Sequence, residues 1–281
     1  MQPPTDATAH WQALDVDADG VSIRVHRTGS QDRRSLVLLH GLSDSGRCWW
    51  RVAQRLEAQF DIVMVDARNH GDSGTGGGGA DRLAVDVAAV VATLDLERPA
   101  VMGHSVGART AADYAAAHPA EVSRLVLIDP PWTLQQEHQG DIPEQRREVS
   151  RTWLASFANM TSEEITTLGR EQHPSWPGAE FAAWTQSKRQ VRPGAADNLA
   201  GTGWGDAVAA IDCPTLLVHG DSGTDGIVTD AVVRRVVELN RRVTAARVMG
   251  AGHNIHREQF DRFIKVVRPF LLSSALPNAL P

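Results

Sequence analysis

The sequence has little cysteine, because among its 281 residues only Cys48 and Cys213 carry a thiol. They stand far apart and form no C-x-x-C pair, which argues against a disulfide framework and against a cysteine-based zinc site. No apolar run is long enough to span a bilayer, and the first ten residues, MQPPTDATAH, contain no basic segment followed by an apolar stretch. We therefore predict a cytoplasmic protein without a secretory signal and without a membrane partner.

An excess of positive charge is absent as well. The chain has 28 Lys and Arg residues against 34 Asp and Glu residues, a formal net charge of −6, and the two signs are mixed along the sequence. This balance argues against nucleic acid as a partner and leaves a small-molecule substrate as the expected ligand. The length suffices for one large α/β domain with an inserted subdomain, and the sequence leaves a homodimer open.

Short apolar runs alternate with longer amphipathic stretches along most of the chain. Such alternation predicts a mostly parallel sheet flanked by helices. A polar–apolar alternation around Asp19 and Gly20 predicts an antiparallel hairpin that leads into this sheet. The predicted strands are SLVLLH (35–40), DIVMVD (61–66), AVMGH (100–104), RLVLID (124–129), TLLVHG (215–220) and AARVMG (245–250).

A long segment without a clear strand interrupts this rhythm. We predict a helical cap over residues 131–205, inserted into a core formed by residues 1–130 and 206–281 with frayed termini. Ligands bind at the carboxyl edge of open α/β sheets, which such a cap would cover. We predict that Trp132, Trp153 and Trp184 line an apolar pocket between cap and core. The alternative is that these tryptophans fill the cap's own core.

The segment GHSVG, residues 103–107, matches the pattern G-x-S-x-G. In that pattern a strand turns sharply into a helix and exposes the serine hydroxyl, which predicts Ser105 as a nucleophile. A single match arises easily by chance. A predicted strand before it and a helix of small residues after it place it in the required structural context.

A serine nucleophile near neutral pH needs a base, and the base needs an acid that orients it. His253 lies in a glycine-flanked turn after the last predicted strand, which favours it as the base over His256. Three aspartates are candidates for the acid. Asp221 follows the strand after the cap, Asp225 lies in the same loop, and Asp129 ends the strand after the elbow helix, and the spacing alone does not choose among them.

The tetrahedral intermediate of acyl transfer requires hydrogen-bond donors for its oxyanion. The amide of Val106 follows the nucleophile at the positive end of a helix. The amide of Leu42 follows Gly41 in the turn after an earlier strand, where glycine permits close approach of the backbone. We predict these two amides as the oxyanion hole, and we predict that the reaction needs no metal and no organic cofactor.

Four segments in this order, LLHGLSDSGRCW, DARNHGDS, GHSVG and GAGHNIHREQF, resemble the α/β-hydrolase superfamily with an inserted cap. The resemblance extends from about residue 14 to residue 272. It implies Ser105 as nucleophile, His253 as general base, and the amides of Leu42 and Val106 as oxyanion hole. The usual acid motif of this superfamily is not met cleanly, because Gly223 stands where the aspartate would be, and this departure keeps Asp129 as a candidate beside Asp221.

The function predicted from these features is hydrolysis of a small, largely apolar carboxylic ester or lactone through an acyl-enzyme. The same triad would also serve a carbon–carbon bond hydrolase, an amide hydrolase or an acyltransferase. A further alternative, from another class of protein, is a ligand-binding receptor that performs no catalysis.

Overall fold

The computed structural model describes residues 8–29, 31–138, 142–199, 201, 203–221 and 223–273. Eight strands form one sheet: β1 (Gln12–Ala18), β2 (Val21–Arg27), β3 (Ser35–Leu39), β4 (Asp61–Val65), β5 (Ala100–His104), β6 (Arg124–Ile128), β7 (Thr215–His219) and β8 (Val243–Arg247). Their order in the sheet is β1-β2-β4-β3-β5-β6-β7-β8. Strand β2 pairs antiparallel with β1 and with β4, and the six strands β3 to β8 are parallel to one another.

Helices cover both faces of the sheet, and the central strands are apolar throughout because both of their faces are buried. One face packs against α2 (Ala80–Thr93), α3 (Val106–Ala117), α7 (Trp204–Ala210) and α8 (Asp230–Leu239). The other face packs against α1 (Trp50–Leu56), the short α9 (Ile255–Glu258) and α10 (Phe260–Leu272). Because β3, β5, β6 and β7 are parallel, their carboxyl ends lie at the same edge of the sheet.

The region between β6 and β7 contains three helices that lie over this edge: α4 (Glu144–Ser156), α5 (Ser162–Gln172) and α6 (Glu180–Gln190). A capping box between Thr161 and Glu164 fixes the start of α5. These helices have their own hydrophobic cluster, which runs from Leu154 to Ala196 and includes Trp176 and Trp184.

The predicted fold class is confirmed, and five of the six predicted apolar strands coincide with observed strands to within one residue. The last strand differs, because it ends at Arg247 and the following residues turn toward α9. The predicted frayed ends correspond to residues 1–7 and 274–281, which lie outside the described residues. Within the described part of the chain, no helix has both the length and the apolar character that crossing a membrane requires.

The elbow glycines generate a prediction about stability. A Cβ atom on Gly103 would lie 2.1 Å from the carbonyl oxygen of Gly107, because Gly103 of β5 packs directly against the first turn of α3. We expect Gly103→Ala to lower the free energy of unfolding by about 1–3 kcal/mol or more, because the added methyl group would clash with backbone atoms. Urea unfolding measures this change.

The matched control is Gly178→Ala, since a Cβ atom there meets nothing within 4 Å. Its free energy of unfolding should stay within about 0.5 kcal/mol of the parent value. Equal stabilities of the two variants would contradict the tight packing at the elbow.

Candidate active site

Ser105 lies in a strained turn between β5 and α3. Its φ and ψ are 53° and −121°, a backbone conformation that is unfavourable for a residue with a side chain. The turn is held by the Ser105 N–H, which donates to the Ile128 carbonyl at 2.9 Å. A Cβ atom on Gly107 would lie 2.3 Å from the Leu39 carbonyl oxygen, so α3 approaches β3 only because glycine stands there. This is the elbow that the sequence predicts.

His253 lies in the loop between β8 and α9 and forms a hydrogen bond with Asp129. His253 Nδ1 is 2.6 Å from Asp129 Oδ2, so the carboxylate assigns the proton to Nδ1 and leaves Nε2 as the nitrogen that accepts a proton. The Asp129 side chain is fully buried, and its two oxygens also accept the N–H groups of Ile227 and Val228, each at 2.9 Å. Three donors therefore hold this carboxylate against the ring.

The structure does not bring Asp221, the candidate acid that follows β7, to the histidine ring. Asp221 Oδ2 accepts the Gly250 N–H at 2.7 Å, and Asp225 Oδ1 accepts the backbone N–H of His253 at 3.1 Å. Both carboxylates brace the histidine loop through its backbone. Of the three candidate acids, only Asp129 contacts the imidazole of His253.

Leu42 and Val106, whose amides are predicted as the oxyanion hole, lie close to Ser105. Leu42 and Val106 line the same cavity as Ser105, and Val106 begins α3, so its N–H has no partner within the helix. A Cβ atom on Gly41 would lie 3.2 Å from the Ser105 Cβ, so the turn passes directly over the serine. Within the described residues, neither the Leu42 N–H nor the Val106 N–H donates a hydrogen bond to another backbone group, so both are available to a substrate.

His104 supports the loop that carries His253, a role that is not predicted from the sequence. Its Nε2–H donates to the His253 carbonyl at 2.9 Å, and the two imidazole rings are 4.6 Å apart between centroids. Burial lowers the pKa of His104 well below its ordinary value, and a charge on His253 lowers it further. A neutral ring therefore packs beside the base, and the only sequence signal for it is its place directly before the nucleophile.

The site opens into a cavity of about 470 Å³ between the sheet edge and the cap helices. Trp153 and Trp184 line it as predicted, and Trp176, absent from that prediction, lines it too. The prediction for Trp132 is wrong. Its side chain is 1% exposed and stacks on Trp204 at 5.3 Å, because the chain turns at Pro131 and directs the indole into the core beneath the cap.

A buried charged cluster joins the oxyanion turn to the cap and to the histidine loop. Lys188 Nζ of α6 donates to Ser43 O at 2.9 Å and to Asp44 Oδ1 at 3.1 Å, while Arg257 of α9 donates to Asp44 Oδ2 at 2.8 Å. Burial alone would raise the pKa of Asp44, but Arg257 and Lys188 hold it well below its usual range. Burial lowers the pKa of Lys188, and Asp44 opposes that shift.

The arrangement can perform nucleophilic catalysis, since it contains a serine, an oriented imidazole and two backbone donors. Among the described residues, no group of three or more His, Cys, Asp or Glu side chains is arranged to hold a metal ion.

The two aspartates can be separated by covalent labelling of Ser105 with a serine-directed fluorophosphonate. We expect Asp129→Asn to slow labelling by about 10³- to 10⁴-fold, because the amide no longer orients and stabilises the imidazole. Asp221→Asn is the matched control, and its labelling rate should stay within a few-fold of the parent rate. Intact-protein mass spectrometry measures both rates, and the opposite ranking would contradict the geometry.

Comparisons with known proteins place this chain in a family. A family model described as alpha/beta hydrolase fold matches residues 34–259, which is more than half of the chain. An N-formylmaleamate deformylase of Pseudomonas putida is 26% identical over 276 residues, which cover 91% of this chain and 95% of that protein. A 2-(acetamidomethylene)succinate hydrolase of Mesorhizobium japonicum is 26% identical over 279 residues, which cover 94% of this chain and 97% of that protein.

Solved structures agree with this placement. An esterase from a Rhodococcus species has a TM-score of 0.73 at 26% identity, and the match covers 95% of this chain and 100% of that chain. The crystal structure of an E-2-(acetamidomethylene)succinate hydrolase has a TM-score of 0.81 at 21% identity, covering 94% of this chain and 100% of that chain, and it shows the shared fold. The chain therefore belongs to the α/β hydrolase fold family, and its relatives support hydrolase activity.

Proposed function

We propose that this chain hydrolyses small carboxylic acid derivatives through an acyl-enzyme on Ser105, with esters and lactones as the first candidate class. The observation that carries the proposal is the 2.6 Å hydrogen bond between His253 and the buried Asp129, beside a strained serine in the same cavity. A buried acid that orients an imidazole next to a serine is the arrangement that makes a hydroxyl nucleophilic near neutral pH.

Each step then has a residue that performs it. Ser105 attacks the carbonyl carbon while His253 takes the hydroxyl proton, and the amides of Leu42 and Val106 stabilise the oxyanion. His253 returns the proton to the leaving alkoxide as the carbon–oxygen bond breaks. A water molecule, deprotonated by His253, attacks the acyl-enzyme, and the proton passes back to Ser105 as the acid is released. Asp129 keeps the proton on Nδ1 and stabilises the imidazolium throughout.

The similarity to an esterase over nearly the whole chain supports ester hydrolysis. Amide hydrolysis is the second candidate, and one specific finding favours it. Two of the three long matches among curated proteins are named as a deformylase of N-formylmaleamate and as a hydrolase of 2-(acetamidomethylene)succinate, and the third is named as a putative 2-succinyl-6-hydroxy-2,4-cyclohexadiene-1-carboxylate synthase. The same triad serves both reactions, but an amide demands that His253 protonate a more basic leaving group before the carbon–nitrogen bond breaks.

A short-chain chromogenic ester tests the proposal. With p-nitrophenyl acetate we expect a burst of nitrophenolate followed by steady turnover, and a mass increase of one acetyl group on the peptide that contains Ser105 after an acid quench. Ser105→Ala should abolish both signals, because no other side chain replaces the hydroxyl. Acetanilide assayed in parallel decides between the two classes, since amide hydrolysis predicts turnover of both compounds.

The control is Ser150→Ala, which removes another serine hydroxyl from the cavity wall. Its turnover of p-nitrophenyl acetate should remain within a few-fold of the parent. Turnover that survives in Ser105→Ala, or acetylation at another residue, would overturn the proposed mechanism.

A further inference from the structure

The charge of the active-site cavity has the opposite sign to that of the whole chain. The chain carries a formal net charge of −6. Three cationic side chains line the cavity, Arg146, Lys188 and Arg257, against the single carboxylate of Asp44. Counting Lys188 as neutral leaves the sign unchanged, because arginine keeps its charge in proteins. An anionic ligand is therefore attracted to this cavity.

Two of these cations share one anion at the wall next to the oxyanion turn. The Asp44 carboxylate accepts hydrogen bonds from both Lys188 and Arg257, so the two cations share its single negative charge. Glu180 lies 3.8 Å from Arg257 Nε and 3.6 Å from Arg51, so this second carboxylate is also shared between two cations. Arg257 Nε, buried, has no hydrogen-bond partner. The wall therefore carries three cations, Lys188, Arg257 and Arg51, against the two carboxylates of Asp44 and Glu180, an imbalance that favours an anion brought by the ligand.

Arg146 faces the same cavity from α4 on the cap. The carboxylates near it are taken by other arginines of this helix, since Arg147 pairs with Glu144 and Arg151 pairs with Glu148 and Asp197. Within the described part of the chain, Arg146 has no ion pair and its guanidinium makes no hydrogen bond. Its donors are free for a ligand, and guanidinium geometry suits a carboxylate.

We infer that the site is built for an acid: the substrate carries a carboxylate, held between Arg146 on the cap and the Lys188 and Arg257 wall, in addition to the bond that Ser105 attacks. This inference rests on the proposed function and narrows it. It replaces the largely apolar substrate predicted from the sequence with an anionic one, whose apolar part packs on Trp153, Trp176 and Trp184.

Matched substrate pairs test the inference. 4-Acetoxybenzoate and 4-acetoxybenzamide place the charge or its neutral isostere on the leaving group. Mono-p-nitrophenyl glutarate and its methyl ester place it on the acyl group. With rates corrected for alkaline hydrolysis, we expect kcat/KM to favour the anion by about tenfold or more in at least one pair, as one charge-assisted hydrogen bond gives. The preference should fall as ionic strength rises.

Arg146→Gln should reduce this preference by about tenfold, because the substrate carboxylate loses the guanidinium that holds it. Arg147→Gln is the matched control, since Arg147 neighbours it on α4, pairs with Glu144 and does not line the cavity. Both lie on the cap surface, away from the sheet core. A parent enzyme without preference in either pair, or equal effects of the two substitutions, would overturn the inference.

A binding measurement separates this inference from the proposed function. Glutarate should bind the parent protein and Ser105→Ala, quenching tryptophan fluorescence, and should bind Arg146→Gln about tenfold more weakly. Glutarate binding without turnover of any ester would sustain the anion site and reject the hydrolase mechanism. Ester turnover without anion preference and without glutarate binding would sustain the hydrolase mechanism and reject the anion site.

Discussion

The carboxylate of Asp129 joins the parts of the site that lie far apart in sequence. It stands directly after β6, accepts two N–H groups from the loop after β7, and holds the imidazole of the loop after β8. Because β5, β6 and β7 are neighbours in the sheet, the same strands that support Asp129 also support the elbow of Ser105. The order of the strands therefore brings Ser105, His253 and Asp129 to one edge, and the buried carboxylate fixes the orientation of the imidazole.

A second interaction, centred on Asp44, attaches the cap to this edge. Lys188 reaches it from α6 and Arg257 from α9, and the two cations also lie over the rings of Trp184 and Trp176 at 4.5 and 4.6 Å. Burial of such a cluster costs desolvation free energy that hydrogen bonds and cation–π contacts offset only in part. The cluster also forms part of the cavity wall. The two cations that attach the cap are therefore the ones that attract an anionic substrate.

Much of the fold and part of the site follow from sequence patterns, and the exceptions have physical reasons. The elbow, the histidine turn and the oxyanion turn are local, so spacing and glycine placement predict them. Asp129 and Asp221 both follow neighbouring strands, and only the direction of each side chain separates their roles. Trp132 points into the core although the preceding Pro131 lines the cavity. The contact between Asp44 and Lys188 spans 144 residues, and no local pattern indicates it.

The central claim is that the proton on His253 Nδ1 lies in a hydrogen bond with Asp129. Proton NMR of the uniformly ¹⁵N-labelled protein observes that proton directly, because a buried imidazole N–H bonded to a carboxylate resonates far downfield of the amide region. The account predicts that this resonance is present in the parent protein, is retained in Asp221→Asn, and disappears or moves strongly upfield in Asp129→Asn. A resonance unaffected by Asp129→Asn, or lost in Asp221→Asn, would contradict it.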